Sequence, residues 1–111
     1  MEITQSQVGA VGVLTLKGAL VGDAAGTLRE AAEPMQRKTM GRMVLDLAAV
    51  PFIDSQSLEA LLDLTEAMSA SGRVLKLAAA NALIREVLSL TDLDGHFEHY
   101  LDVNAAARSF L

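Results

Sequence analysis

Asp54 and Ser55 stand side by side where one hydrophobic period gives way to another. Upstream, Met43, Val44, Leu45 and Leu47 make an apolar run of strand length, and Val50, Pro51, Phe52 and Ile53 carry it onward. Pro51 has no backbone N–H to give a sheet, so regular pairing ends there. Downstream, Leu58, Leu61, Leu62, Thr65 and Met68 recur at the three-and-four spacing of a helix with one apolar face. The pair therefore occupies a strand-to-helix corner. The first N–H groups of a helix lack internal partners, and the macrodipole puts about half a positive charge beside them, so an oxygen acceptor or an oxyanion is stabilised there. Two uses follow. Asp54 or Ser55 can be the N-cap, or the Ser55 hydroxyl can accept a phosphate that the helix terminus tolerates.

Other residues with chemical potential lie close by. Glu59, Asp63 and Glu66 follow at i, i+4 and i+7 on the outer side of the same helix, with no basic residue among them. Like charges at this spacing cost a few tenths of a kcal/mol each. They form either a solvated face or a strip that steers a basic partner. A phosphate on Ser55 would add about −1.5 to −2 charge to that region. His96 and His99 are three apart, and in a strand they would point to opposite faces, which suits neither a shared metal nor a shared substrate. Serine, histidine and aspartate are all present, but there is no Gly-x-Ser-x-Gly elbow and no glycine loop followed by Lys-Ser/Thr. No enzyme activity, metal or cofactor is expected, and ATP, if used, would be bound by a partner.

The elements that must position the corner can be read in order. Glu2–Val8 alternates weakly and Val11–Lys17 cleanly, with Gly9, Ala10 and Gly12 between them, which predicts a hairpin. After Gly18 comes a helix with Ala24, Leu28, Ala31, Ala32 and Met35 inward and Arg29 and Glu33 paired outside. Pro34 should kink or restart it near Glu33. Val74, Leu75, Leu77 and Ala78 form a strand buried on both faces. Asn81 caps a third helix with Leu83, Ile84, Val87, Leu88 and Leu90 inward and Arg85 and Glu86 outward, and Asp94-Gly95 stops it. His96–Leu101 reads as a short edge strand, and Asn104–Leu111 as a closing helix packing Ala106, Ala107 and Phe110. Strands separated by helices require parallel pairing, and the opening hairpin adds an antiparallel edge. The fold expected is an α/β sandwich with a mixed, mainly parallel sheet and about four helices largely on one face. Within it Ser55 should be accessible, with Phe52, Ile53 and Leu58 buried.

Composition bounds the rest. A chain of 111 residues is one domain, residues 1–111, with a real core. It is 51% hydrophobic and 21% charged, the balance of a folded globule. It has no cysteine, which a reducing compartment permits and which excludes disulfides and thiolate metal sites. No apolar run reaches the ~20 residues that span a bilayer, and the N-terminus is unlike a signal peptide, so a cytoplasmic protein without direct membrane insertion is expected. A net charge of −5 with no Lys/Arg cluster argues against nucleic acid.

The segment VLDLAAVPFIDSQSLEALL resembles the signature of the STAS domain, found in anti-sigma factor antagonists and at the ends of sulfate transporters. Its strand, its V-x-F-x-D-S turn and its leucine-rich helix have counterparts in that family, and the similarity extends more weakly over Asn81–Leu111. The resemblance implies a bacterial, non-enzymatic regulatory module whose phosphoacceptor is Ser55. It also implies a protein partner, an ATP-binding anti-sigma factor kinase, and is compatible with a dimer. Together with the acidic strip Glu59, Asp63 and Glu66, the partner surface expected comprises Asp23, Asp54, Ser55, Gln56 and Ser57. The sequence departs from the family where Gln56, Ser57 and Glu59 replace a small hydroxyl residue and two glycines around Leu58. It departs again where Gly18, Ala19, Leu20 and Val21 replace G-E-L-D, with Asp23 two residues late. These changes favour an alternative, a constitutive STAS subunit of a signalling scaffold or of a transporter ATPase complex that is not switched by phosphate.

Overall fold

A computed structural model describes residues 1–111. The hairpin strands β1 (Glu2–Val8) and β2 (Val11–Lys17) are followed by helix α1 (Ala24–Thr39), strand β3 (Met43–Ala49), helix α2 (Ser55–Ser69), strand β4 (Leu75–Ala78) and helix α3 (Ala82–Leu90). A single 3-10 turn at Asp94–His96 then leads into strand β5 (Phe97–Tyr100) and helix α4 (Val103–Arg108). The five strands lie side by side in chain order, β1 antiparallel to β2 and all the others parallel. No helix is long and apolar enough to cross a membrane.

Strand alternation divides the core. Leu14, Leu16, Leu45, Leu47, Leu75 and Leu77 point to one face and meet α1, α2 and α3 through Leu28, Leu61, Met68, Ile84 and Leu88. Val11, Val44 and Ala78 point to the other face, where α4 covers them with Ala106 and Ala107. Three helices thus share one face, and the short fourth helix lies alone on the other. The buried hydroxyl of Thr65 in α2 fastens this arrangement by donating to the His96 carbonyl at 2.8 Å and accepting from the Leu75 N–H at 3.0 Å.

Several expectations are corrected by the packing. Helix α1 runs through Pro34 to Thr39 without restarting, held on the sheet by the buried Ala32 and Met35 to either side of the proline. Arg29 pairs not with Glu33 but with Asp63 of α2, at 2.8 Å. In α3 only Ile84 and Leu88 are buried; Leu83 is 50% and Leu90 78% exposed, because the helix rests on the sheet along a narrower stripe than its apolar residues span. The helix ends at Leu90, before Asp92 in a left-handed conformation (φ 62), two residues ahead of the expected Asp94-Gly95 stop. His96 belongs to the 3-10 turn and the strand begins only at Phe97, while α4 starts at Val103 and ends at Arg108. Lys76, in a strand expected to be buried on both faces through Val74, Leu75, Leu77 and Ala78, is itself buried under α4, where it bonds Ser109 Oγ at 2.6 Å and Glu98 at 3.0 Å.

Candidate functional site

Parallel pairing brings the C-terminal ends of β2, β3 and β4 to one edge of the sheet, and the loops that leave them are sewn together. The Leu20 N–H donates to the Phe52 carbonyl at 3.0 Å, and the Asp54 N–H donates back to the Leu20 carbonyl at 2.9 Å. The result is a parallel bridge between Leu20 and Ile53, outside the named strands. From the third loop, the Asn81 side-chain amide donates to the carbonyls of Val50 and Pro51 at 3.2 and 3.1 Å, and its oxygen accepts from the Ile84 N–H to cap α3. Asn81 is a cap as expected, and it also holds the turn that presents Asp54.

Asp54 is the N-cap of α2. One carboxylate oxygen accepts from the Ser57 N–H at 2.9 Å and the other from the Gly22 N–H at 2.7 Å, so the carboxylate joins the β2–α1 loop to the helix terminus. These two N–H donors, Gly22 first, hold its pKa below the ordinary value of 3.8. The negative charge is thus already part of the fold. Ser55, the first residue of α2, is exposed, and its hydroxyl makes no hydrogen bond within the chain. Of the two uses open to this pair, capping falls to Asp54, and Ser55 is left with a free hydroxyl at the positive end of a fifteen-residue helix.

The remaining candidates divide. Gln56 and Glu59 are exposed beside Ser55, whereas Ser57 is fully buried (0%) and turns its side chain away from any partner. Asp23 is exposed at the start of α1 and makes no side-chain cap bond there. In the acidic strip Glu59 and Glu66 are exposed, but Asp63 is engaged by Arg29 of α1, so the strip is interrupted by a cation that lies 34 residues away in sequence. Phe52, expected in the core, is 48% exposed and Ile53 half-buried, because the Leu20–Ile53 bridge draws Ile53 inward and leaves Phe52 outside. Val21, on the β2–α1 loop, and Leu83, in the first turn of α3, are exposed as well. This apolar rim is not visible from the apolar pattern, which reads all such residues as core. The histidines are separate: His96 is exposed, while His99 is half-buried with Nε2 2.9 Å from an Asp94 carboxylate oxygen.

This arrangement of sheet, helices and corner is that of a known family. The STAS domain model matches residues 2–106, and the chain belongs to that family. Among solved structures, the protein TM1081 of Thermotoga maritima is 25% identical, with 96% of this chain and 92% of that one covered and a TM-score of 0.86. An anti-sigma factor antagonist from Mycobacterium paratuberculosis is 23% identical over 97% of this chain and 92% of its own, with a TM-score of 0.84. The anti-sigma factor antagonist SpoIIAA, in its unphosphorylated form, is 17% identical over 98% and 96%, with a TM-score of 0.78. No curated protein sequence gives a significant match.

Proposed function

We propose that the protein is a non-enzymatic interaction module of the anti-sigma factor antagonist type, binding an ATP-dependent anti-sigma factor kinase and released from it when Ser55 is phosphorylated. The observation that carries this reading is the division of labour at the corner: Asp54 supplies the cap, so Ser55 is exposed and spare. A phosphate on Ser55 would leave every capping bond in place and sit at the favourable end of the helix. It would also add charge to a surface already carrying Asp54 and Glu59, which changes what that surface can dock against. The exposed Val21 and Phe52 on two of the joined loops, and Leu83 in the first turn of α3, give a partner apolar area to cover. In this reading the module acts in the cytoplasm.

A second reading, the constitutive subunit without phosphate switching, draws on Gln56 and Glu59. Glu59 puts an exposed side chain where the family commonly has a glycine that leaves backbone accessible, and Gln56 puts a longer one where it has a small hydroxyl residue. Intact-mass measurement of the protein taken from its own host, with and without phosphatase, separates the two. The switch reading expects a fraction heavier by one phosphate, mapped to Ser55 and removed by phosphatase. An unmodified chain under all growth conditions would leave the constitutive reading.

A further inference from the structure

The opposite end of the sheet holds a cleft that the chemistry of the corner leaves unused. It has a volume of about 310 Å³ and lies between the β1–β2 turn and the C-terminal half of α4. That is the lower end of the range in which clefts enclose small ligands, roughly 300 to 1,000 Å³. Its apolar lining comes from Val8, Ala10, Val11, Ala107, Phe110 and Leu111, and Arg42 and Arg108 border it. The walls are fixed. Val11 and Ala107 belong to the buried cluster under α4. The Phe110 ring is held from the other side by the Lys76 ammonium 4.2 Å from its centroid and the Arg73 guanidinium at 5.5 Å.

Charge decides what such a cleft would accept. The chain has fourteen acidic side chains against nine basic ones, so carboxylates to neutralise an arginine are in surplus. Arg29, Lys76 and Arg85 have acidic partners; the other six basic side chains have none, and of these Arg42 and Arg108 are the two that line the cleft. The last turn of α1, at the same end of the sheet, carries two further cations, Arg37 and Lys38. A guanidinium offers a planar fork of donors matched to a carboxylate, and each methylene buried on the apolar lining adds affinity.

We infer that this cleft binds an amphipathic carboxylate, a monomeric organic acid of medium aliphatic length, with its chain against Val8, Val11, Ala107 and Phe110 and its head group on Arg42 and Arg108. The site is independent of Ser55 and of the proposed partner.

Titration of octanoate into isotope-labelled protein, followed by amide NMR, tests the inference, with octanol and acetate as matched probes. Octanoate should shift amides near Val11, Asn104 and Ala107 saturably. Octanol should bind at least about tenfold more weakly for want of the charge-assisted hydrogen bonds, and acetate should give no saturable shift. The double variant R42Q/R108Q removes side chains that make no internal ion pair, so it should keep a folded spectrum and bind octanoate no better than octanol. Asn104→Trp, an exposed position at the mouth, should block both probes. Equal binding of octanoate and octanol, unchanged binding by R42Q/R108Q, or shifts at the Val21, Phe52 and Leu83 rim instead would overturn the inference. So would co-sedimentation with phosphatidylglycerol vesicles in the absence of any shift from monomeric octanoate, which would make this end a membrane-facing surface.

Discussion

The two ends of the sheet are built from opposite ends of the same helices, and they handle charge in opposite ways. At the C-terminal edge of the parallel strands the helices begin, and their unpaired N–H groups are met by Asp54, Asn81 and Asp102, each accepting from the residue three positions on. At the other edge the helices finish, and Arg37, Lys38 and Arg108 lie in or beside their last turns, where the macrodipole favours a cation. The first end caps three of its four helices with side chains and leaves the Ser55 hydroxyl exposed and free. The second leaves the guanidiniums of Arg37, Arg42 and Arg108 without a carboxylate partner. A helix whose cap is already filled can take a covalent charge at its first residue without losing that cap, whereas a region with spare cations is altered by whatever anion reaches it.

The comparison can be broken most severely through the core that both ends share. Leu61 is fully buried beneath α2, and Leu61→Ala should cost about 2 to 5 kcal/mol in urea unfolding, by transfer and cavity terms, with both ends melting together. An unchanged midpoint would mean that the inner face of α2 has been misassigned. A smaller and one-sided effect is expected of Lys76→Ala. It removes the bond to Ser109, the pairing with Glu98 and the contact with the Phe110 ring. The loss should be about 1 to 3 kcal/mol, and amide exchange should quicken in α4 while the Ser55 corner stays protected. Asn81→Ala should do the reverse at about 1 kcal/mol, disturbing the Val50–Pro51 turn and the start of α3 without reaching α4.

The smallest expected effect concerns pH. Asp54 has a lowered pKa because its carboxylate accepts from the Gly22 and Ser57 N–H groups, so the folded state binds its proton less readily than the unfolded one. Its contribution is fully present above the ordinary value of 3.8 and fades as pH falls through the lower folded value. Asp54→Asn should remove that part of the acid sensitivity, measured as the fall in urea midpoint between neutral pH and pH below 3.8. Glu98 is lowered chiefly by Lys76, and the same comparison with Glu98→Gln reports the other end of the sheet. An acid response unchanged by Asp54→Asn would mean that the two N–H donors do not hold the carboxylate in solution.

What was legible in the sequence was local. The strand-to-helix change of period around Asp54, the Asn81 cap and the inward Leu61 all depend on neighbours a few residues away, and each is found where the spacing put it. What was not legible depends on distant chain. Apolarity alone could not tell Phe52, Leu83 and Leu90 from core residues, because only the Leu20–Ile53 bridge and the narrow seat of α3 decide which of them are covered. The pairing of Arg29 with Asp63 spans 34 residues. Lys76 reads as a break in an apolar strand until α4 folds over the second face and supplies Ser109 and Phe110. Ser57, two residues after Ser55, is buried because the third residue of this helix faces the core.

The central claim is that Ser55 is a spare hydroxyl whose charge state controls binding. The most direct test titrates wild type, Ser55→Asp and Ser55→Ala against the partner captured from the host, at two salt concentrations, alongside melting curves of the three proteins. The account predicts that Ser55→Asp binds at least ~10-fold more weakly, a penalty of about 1.4 kcal/mol for charge placed in the interface. Ser55→Ala should bind like wild type and no longer respond to the kinase, and all three should melt alike, because Asp54 keeps the cap. Equal affinity of Ser55→Asp and wild type at both salt concentrations would contradict it.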